Sequence, residues 1–282
     1  MRILISNDDG VYSPGLSALA EVAREFGEIK VFAPDVDRAA SGHALSPGRP
    51  ITWKHSPIGI EACRVDGTPA DCVAVGCALW SDVDVVIAGI NLGPNLAEKM
   101  WNSGTLAAAK EACLLGSRGI AISREVPGDE PDYEALKPIL RRVLSLTLPL
   151  RDIPLINVNL PAGTPKGILW THQSVRYFRS EITRYKDPSG NPLSWFSISP
   201  IGDDAPLSDV CETKRGYVSL TPIRLDLTDH EALRRCRLLS QEDKSVRQLS
   251  LGARLRQFVQ AIRNREGNRS LVPAENGTLD GK

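Results

Sequence analysis

The chain begins MRILISNDDGVY, and Asn7-Asp8-Asp9-Gly10 is the first place where side chains gather that could do chemistry. Two adjacent carboxylates straight after a short apolar run are costly near a core unless a cation or a shell of donors receives them. Gly10 lets the backbone turn sharply, so both can face one crevice. The alternative is that one Asp caps the next helix and the other is solvated. Further polar groups follow: Asp35, Asp37, Ser41 and His43 in one loop, Asn91 and Asn95 in a loop rich in glycine, and Ser103-Gly104-Thr105 before a third helix. Carboxylates, an Asn carbonyl and a hydroxyl make an all-oxygen set, which suits Mg2+, Mn2+ or Ca2+ better than zinc. Ser103-Gly104-Thr105 offers helix-start N–H groups and a positive dipole end to an anion, or is an ordinary N-cap. A cation beside an anion-binding helix start suggests phosphate chemistry, because the cation polarises the phosphoryl group and acidifies water. His43 could protonate a leaving oxygen. The chain has no Walker loop, no GxGxxG and no GxSxG, which leaves NTPase, dinucleotide and serine-hydrolase readings without support.

The elements that must position these groups alternate. Arg2–Ser6 reads as a buried strand, Ser13-Pro14 as a helix start, Gly27 as its stop, and Ile29–Ala33 as a second strand. Strand, helix, strand at this spacing is a βαβ unit with parallel strands. Residues 51–55 and 60–65 read as a side hairpin outside the parallel core. Thr68-Pro69 starts a second helix with Asp71 in its first turn, followed by strands at Asp84–Ala88, Gly119–Ser123 and Leu155–Asn159. Asp84–Ala88, the third core strand, is expected to end in the Gly89–Asn95 loop. A helix from Pro131 to about Leu146 contains Pro138. From about Gly167 the pattern changes to hairpins around Asp187–Asn191, with Ile168–Thr171 among their strands and a last strand at Gly216–Pro222. An amphipathic helix is expected over about 245–264 and a polar tail over 268–282. The fold class is therefore α/β, with residues 1–240 as the main domain, a hairpin arm at about 167–215, and 241–282 as a C-terminal helix and tail. Because ligands of an open parallel sheet bind outside the carboxyl ends of its strands, four polar loops meet at one edge.

Lys plus Arg and Asp plus Glu are both 34, so the net charge is zero, which argues against a nucleic-acid polymer or a membrane surface as partner. No apolar run is long enough to span a bilayer, and the start of the chain lacks the basic stretch of a signal peptide. The six cysteines form no CxxC pair and read as reduced thiols of a cytoplasmic protein.

Together these residues resemble the SurE family of stationary-phase survival proteins, metal-dependent phosphatases acting on nucleoside monophosphates. The resemblance runs from Met1 to about Asp229. It is carried by Asn7-Asp8-Asp9-Gly10, Ala33-Pro34-Asp35, Gly42-His43, Gly67-Thr68-Pro69-Ala70-Asp71-Cys72, Gly89-Ile90-Asn91 with Gly93-Pro94-Asn95, Ser103-Gly104-Thr105 and Gly216-Tyr217-Val218-Ser219. It implies a Rossmann-like core, an exchanged β-hairpin arm, dimers or tetramers, and 5′(3′)-nucleotidase activity. It also implies one divalent cation per subunit, Mg2+ or Mn2+, held by Asp8, Asp9 and Asn91. The family's fourth ligand, a Ser, falls here on Ala39. Either Ser41 or a water would take its place, and water is favoured because two residues along a loop is a large displacement for a short side chain.

The sequence thus points to a metal-dependent nucleoside-monophosphate phosphatase. Asp8 and Asp9 are its catalytic and metal-binding carboxylates and Asn91 a third ligand. Asn95, Ser103, Gly104 and Thr105 hold the phosphate, with Ser41 and His43 beside it, and a water attacks in line. A nucleotide-binding protein with a decayed metal site at Ala39 is the alternative. A phosphoacceptor module is a more distant one, disfavoured because the third strand ends in Gly-Ile-Asn.

Overall fold

The computed structural model describes residues 1–57, 61–126, 128, 131–175, 178–200 and 205–242. By internal contacts the chain divides into Met1–Leu225 and Asp226–Lys282. The first unit holds eleven described strands and five α-helices. The described part of the second is one amphipathic helix, α6 (His230–Glu242), which sequence reading did not single out. The helix expected over 245–264 and the polar tail lie outside the described residues.

Nine strands form one sheet. In chain order they are β1 (Arg2–Ser6), β2 (Glu28–Pro34), β3 (Trp53–Ser56), β4 (Ala62–Val65), β5 (Val85–Leu92), β6 (Arg118–Arg124), β7 (Leu155–Leu160), β8 (Ile168–Trp170) and β11 (Val218–Ile223). Their spatial order is β3-β4-β2-β1-β5-β6-β7-β11-β8. From β4 to β7 all neighbours are parallel, while β3 and β11 run antiparallel to β4 and β7 at the two sides. The parallel strands are apolar on both faces because helices cover both. One face packs on α1 (Pro14–Ala23) and α4 (Tyr133–Thr147) through Leu16, Leu19, Leu136 and Leu140. The other packs on α2 (Pro69–Leu79) and α3 (Gly104–Leu114) through Cys72, Val73, Leu106 and Ala108.

Three sequence expectations change. Trp53–Ser56 and Ala62–Val65 do pair antiparallel, but β4 also pairs in parallel with β2, so the two strands extend the sheet instead of standing apart. Ile168–Trp170 likewise joins the sheet, beside β11, and not the arm. The third core strand continues through Gly89 and Asn91 to Leu92 with a register shift, and the Gly89-Ile90 peptide is cis. Gly89 has φ +137, and a Cβ there would lie 2.2 Å from the Ile122 carbonyl, so no larger residue fits this bend.

Helix starts follow their signals with one exception. Thr68 accepts the Asp71 N–H while Asp71 accepts the Thr68 N–H, a reciprocal capping box. Ser103 accepts the Leu106 N–H. Ser13 occupies the N-cap of α1, but its hydroxyl makes no capping bond. That helix ends at Ala23, before Gly27, which is needed for a different reason: a Cβ there would lie 2.2 Å from the Met1 carbonyl. Among the described residues no cysteine forms a disulfide, and no helix is long and apolar enough to cross a membrane.

The arm is a hairpin of β9 (Phe178–Lys186) and β10 (Pro192–Pro200), in register from Pro192 against Lys186 to Pro200 against Phe178. It forms a separate two-stranded sheet.

Candidate active site at the strand ends

The turn after β1 is built by Asn7, which is fully buried. Its amide donates to the Gly10 carbonyl at 2.9 Å and accepts the Gly10 N–H at 3.2 Å. With that turn closed, Asp8 and Asp9 project from the end of a buried strand. Asp8 is 4 % exposed and accepts a 2.6 Å bond from the Thr105 hydroxyl at the start of α3. Asp9 is half-buried, and its Oδ2 is shielded from solvent with no hydrogen-bond partner. It is the one carboxylate oxygen so placed among the described residues.

Burial raises Asp8 above the ordinary carboxylate range, even though donation from Thr105 acts the other way. Burial, with repulsion from Asp8 and then Asp37, pushes Asp9 up to about 7. Asp71 is a useful contrast. Burial alone would raise it, but donation from Thr68 and Ser46 outweighs that and holds it low. Asp209, fully buried, is similarly satisfied by the N–H groups of Ala97, Ser174 and Val210. Asp71 and Asp209 are well supplied with donors, and the Asp8-Asp9 pair is not. That deficit is of the kind a cation can meet.

The other candidates fall at the same edge. The Arg38 N–H donates to the Asp8 carbonyl at 2.8 Å, tying the second loop to the first. Ala39 is exposed, whereas the Ser41 hydroxyl is shielded and without a partner. A Cβ on Gly104 would lie 2.9 Å from Asp8 Cβ, 2.9 Å from Ser41 Oγ and 3.0 Å from Asp8 Oδ2. Asp8 and Ser41 therefore meet over the bare Cα of Gly104. Ala40 lies between Ala39 and Ser41 with φ +55, a left-handed residue that redirects the loop so that Ser41 turns inward. This removes the sequence-based objection that Ser41 lies too far along the chain.

Asn91 sits on the strand next to β1. Ser6 is level with Ala88, and Asp9 and Asn91 each lie three residues further along. Its amide nitrogen donates to the Gly93 carbonyl at 2.7 Å, which leaves Oδ1 as acceptor. It makes no hydrogen bond to either Asp. Asn95 is a keystone: its N–H donates to Asn159 Oδ1 at 2.8 Å, its carbonyl accepts from the amides of Asn157 and Asn159, and its side-chain amide donates to Ser123 Oγ. Only one amide hydrogen of Asn95 remains for an anion. Ser103 and Thr105 are also partly committed, to the Leu106 N–H and to Asp8. His43 Nε2 lies 2.7 Å from Glu111 Oε2, a buried carboxylate on α3, so this loop His is held in place.

Sequence reading missed Glu111, Asn157 and Asn159 as supports of the site. A signal existed for the two asparagines, since LINVNL carries two amides at a spacing of two in an otherwise apolar strand, which puts both on one face.

Among the described residues no three His, Cys, Asp or Glu side chains converge on a metal position. Asp8, Asp9, Asn91 and Ser41 nevertheless fit a hard cation, because two under-satisfied carboxylates and two neutral oxygens are its preferred donors. Residues 3–180 match the family model described as Survival protein SurE. The chain belongs to the SurE family. The 5′-nucleotidase SurE 1 of Thermus thermophilus is 43 % identical over 238 residues, 82 % of this chain and 94 % of the relative. The 5′/3′-nucleotidase SurE of Klebsiella pneumoniae is 40 % identical over 243 residues, 82 % and 93 % of the two chains. The crystal structure of the SurE protein from Aquifex aeolicus superposes with a TM-score of 0.74 at 32 % identity, covering 85 % of this chain and all of that one.

Proposed function

We propose that this chain is a divalent-metal-dependent phosphatase that hydrolyses nucleoside 5′- and 3′-monophosphates to nucleoside and phosphate. The observation that carries this reading is the buried carboxylate pair with an unsatisfied Asp9 Oδ2 at the mouth of a parallel sheet. The nucleotidases among its relatives support the substrate class. Asp8 and Asp9, with Asn91 Oδ1 and Ser41 Oγ, would hold Mg2+ or Mn2+, one per subunit. The cation supplies charge neutralisation at the phosphoryl oxygens and acidity to water. The start of α3 and the remaining amide hydrogen of Asn95 orient the phosphate for in-line attack. His43, whose Nε2 is held by Glu111, would have to serve the leaving oxygen through its other ring nitrogen. Phosphate release from a panel of phosphomonoesters tests the reading: turnover confined to nucleoside monophosphates supports it, and turnover restricted to esters without a nucleoside contradicts it.

Ser41 rather than Ala39 is taken as the neutral ligand, which weighs against a decayed site. Calorimetric titration with Mn2+ is expected to show an affinity about tenfold weaker for Ser41→Ala and nearly unchanged for Ala39→Ser. Tighter binding by Ala39→Ser with no loss in Ser41→Ala would return the position to water.

The arm supports a homo-oligomer. A lone two-stranded hairpin is marginal in water, yet this one exposes Ile182, Tyr185, Leu193, Trp195 and Phe196. A second copy covering them would make a dimer or tetramer. Light scattering should give at least a dimer for the full chain and a smaller mass once residues 179–199 are replaced by a short turn. An unchanged mass would remove the arm from assembly. Six free cysteines support a reducing, cytoplasmic setting.

A further inference from the structure

A cleft of about 210 Å³ opens on the β2-β4-β3 side of the sheet, lined by Asp35, Thr52, Trp53, Lys54, Arg64 and Asp66. Asp35 directly follows β2 and Asp66 directly follows β4, while Trp53 on β3 pairs with Val65. The walls are tied together by backbone bonds from Asp35 N–H to the Val65 carbonyl and from Asp66 N–H to the Thr52 carbonyl. β2 is the immediate neighbour of β1, so the cleft lies on the same sheet edge as Asp8 and Asp9, its walls one (Asp35) to three (Trp53) strand spacings away, roughly 5–15 Å. Arg38 joins the two places. Its N–H holds the Asp8 carbonyl, and its guanidinium reaches Asp35 at 3.5 Å and Asp66 at 3.6 Å.

We propose that this cleft receives the nucleoside half of the substrate, with the base against the Trp53 ring and the ribose hydroxyls at Asp35. The proposal rests on the phosphatase reading above and assigns that site its specificity. Two carboxylates and two cations line the cleft and cancel in charge, which suits a neutral polar body and not a second phosphate. Trp53 is 41 % exposed, and its ring is steadied by edge contact with His55 at 5.8 Å between centroids. That gives a fixed flat surface for a base. Asp66 is already engaged by Arg49 at 3.1 Å and by Arg38. Asp35 has one long contact and so keeps acceptor capacity for hydroxyls. A carboxylate after the second strand of a βαβ unit takes ribose hydroxyls in dinucleotide folds, a fold-level analogy that agrees with this placement.

Calorimetry on the full chain with adenosine, AMP and inorganic phosphate tests the assignment. Trp53→Ala is expected to weaken adenosine and AMP about tenfold or more, and Trp53→Phe to recover most of that loss. Phosphate affinity should stay the same, which also reports that the variant is folded. Adenosine should bind more tightly than 2′,3′-dideoxyadenosine in the native chain, and Asp35→Asn should shrink that difference. Equal AMP and adenosine affinities in native and Trp53→Ala proteins, or no nucleoside binding by the native chain, would overturn the proposal. Trp53-dependent adenosine binding without release of phosphate from AMP would keep the cleft and sink the phosphatase reading.

Discussion

Asp9→Asn is expected to lower phosphate release from AMP by about a thousandfold or more, because it removes a charged ligand that no neighbour can replace. The same substitution should stabilise the cation-free protein at neutral and alkaline pH. Asp9 is pushed up to about 7 in the fold from an ordinary 3.8, first by burial and then by Asp8 and Asp37. An acid with a raised folded pKa makes the native state lose stability as pH climbs. The unfolded chain gives up its proton near pH 4, the folded one only near 7, and the full loss is present above that. The penalty is of order a few kcal/mol. Thermal melts in chelator at pH 5 and pH 8 should therefore separate for the native chain and draw together for Asp9→Asn. Parallel separation in both proteins would mean that Asp9 is not the strained carboxylate. Activity and stability moving in opposite directions is the mark of a residue kept for binding and not for the fold.

Gly104→Ala should also damage turnover, by a different route. The new methyl would stand 2.9 Å from both Asp8 Cβ and Ser41 Oγ, closer than real Cβ contacts allow. One or both side chains must move, or the first turn of α3 must back away from β1. Overpacking of this kind costs about 1–3 kcal/mol, with little offset from helix propensity because Gly104 is the first helical residue. The loss of stability should be modest, whereas a shift of about 1 Å in a ligand can cost about a hundredfold in rate. A variant that still folds cooperatively but loses activity and Mn2+ affinity together is the expected result. Native kinetics in Gly104→Ala would show that the place where Asp8, Ser41 and α3 meet is not critical.

The parallel core was legible because its signals are local. Apolar runs alternate with capped helices, and each run ends in a residue that could not stay in a core without a purpose, such as Asp8, Asp35 or Asn91. What escaped depended on non-local pairing. Nothing in Ala62–Val65 itself says that it joins β2 as well as β3, and the three residues Ile168–Trp170 carry no mark of pairing with β11. At the site, the placement of Asp8 and Asp9 at a buried strand end could be read from their position after an apolar run. Glu111 could not: it looks like a surface residue of an alanine-rich helix until His43 is seen to meet it. Spacing along the loop speaks against Ser41, yet its hydroxyl lies on the same side of Gly104 as Asp8, where Ala40 takes a left-handed conformation that an alanine does not advertise.

The most direct test is steady-state phosphate release from AMP by the chelator-treated chain, before and after adding Mg2+ or Mn2+, with Asp8→Asn and Asp9→Asn in parallel. No release is expected in chelator, with recovery by either metal in the native chain and no recovery in the two variants. Release that persists undiminished in chelator, or recovery in both variants, would contradict a cation held by Asp8 and Asp9 as the centre of this molecule's chemistry.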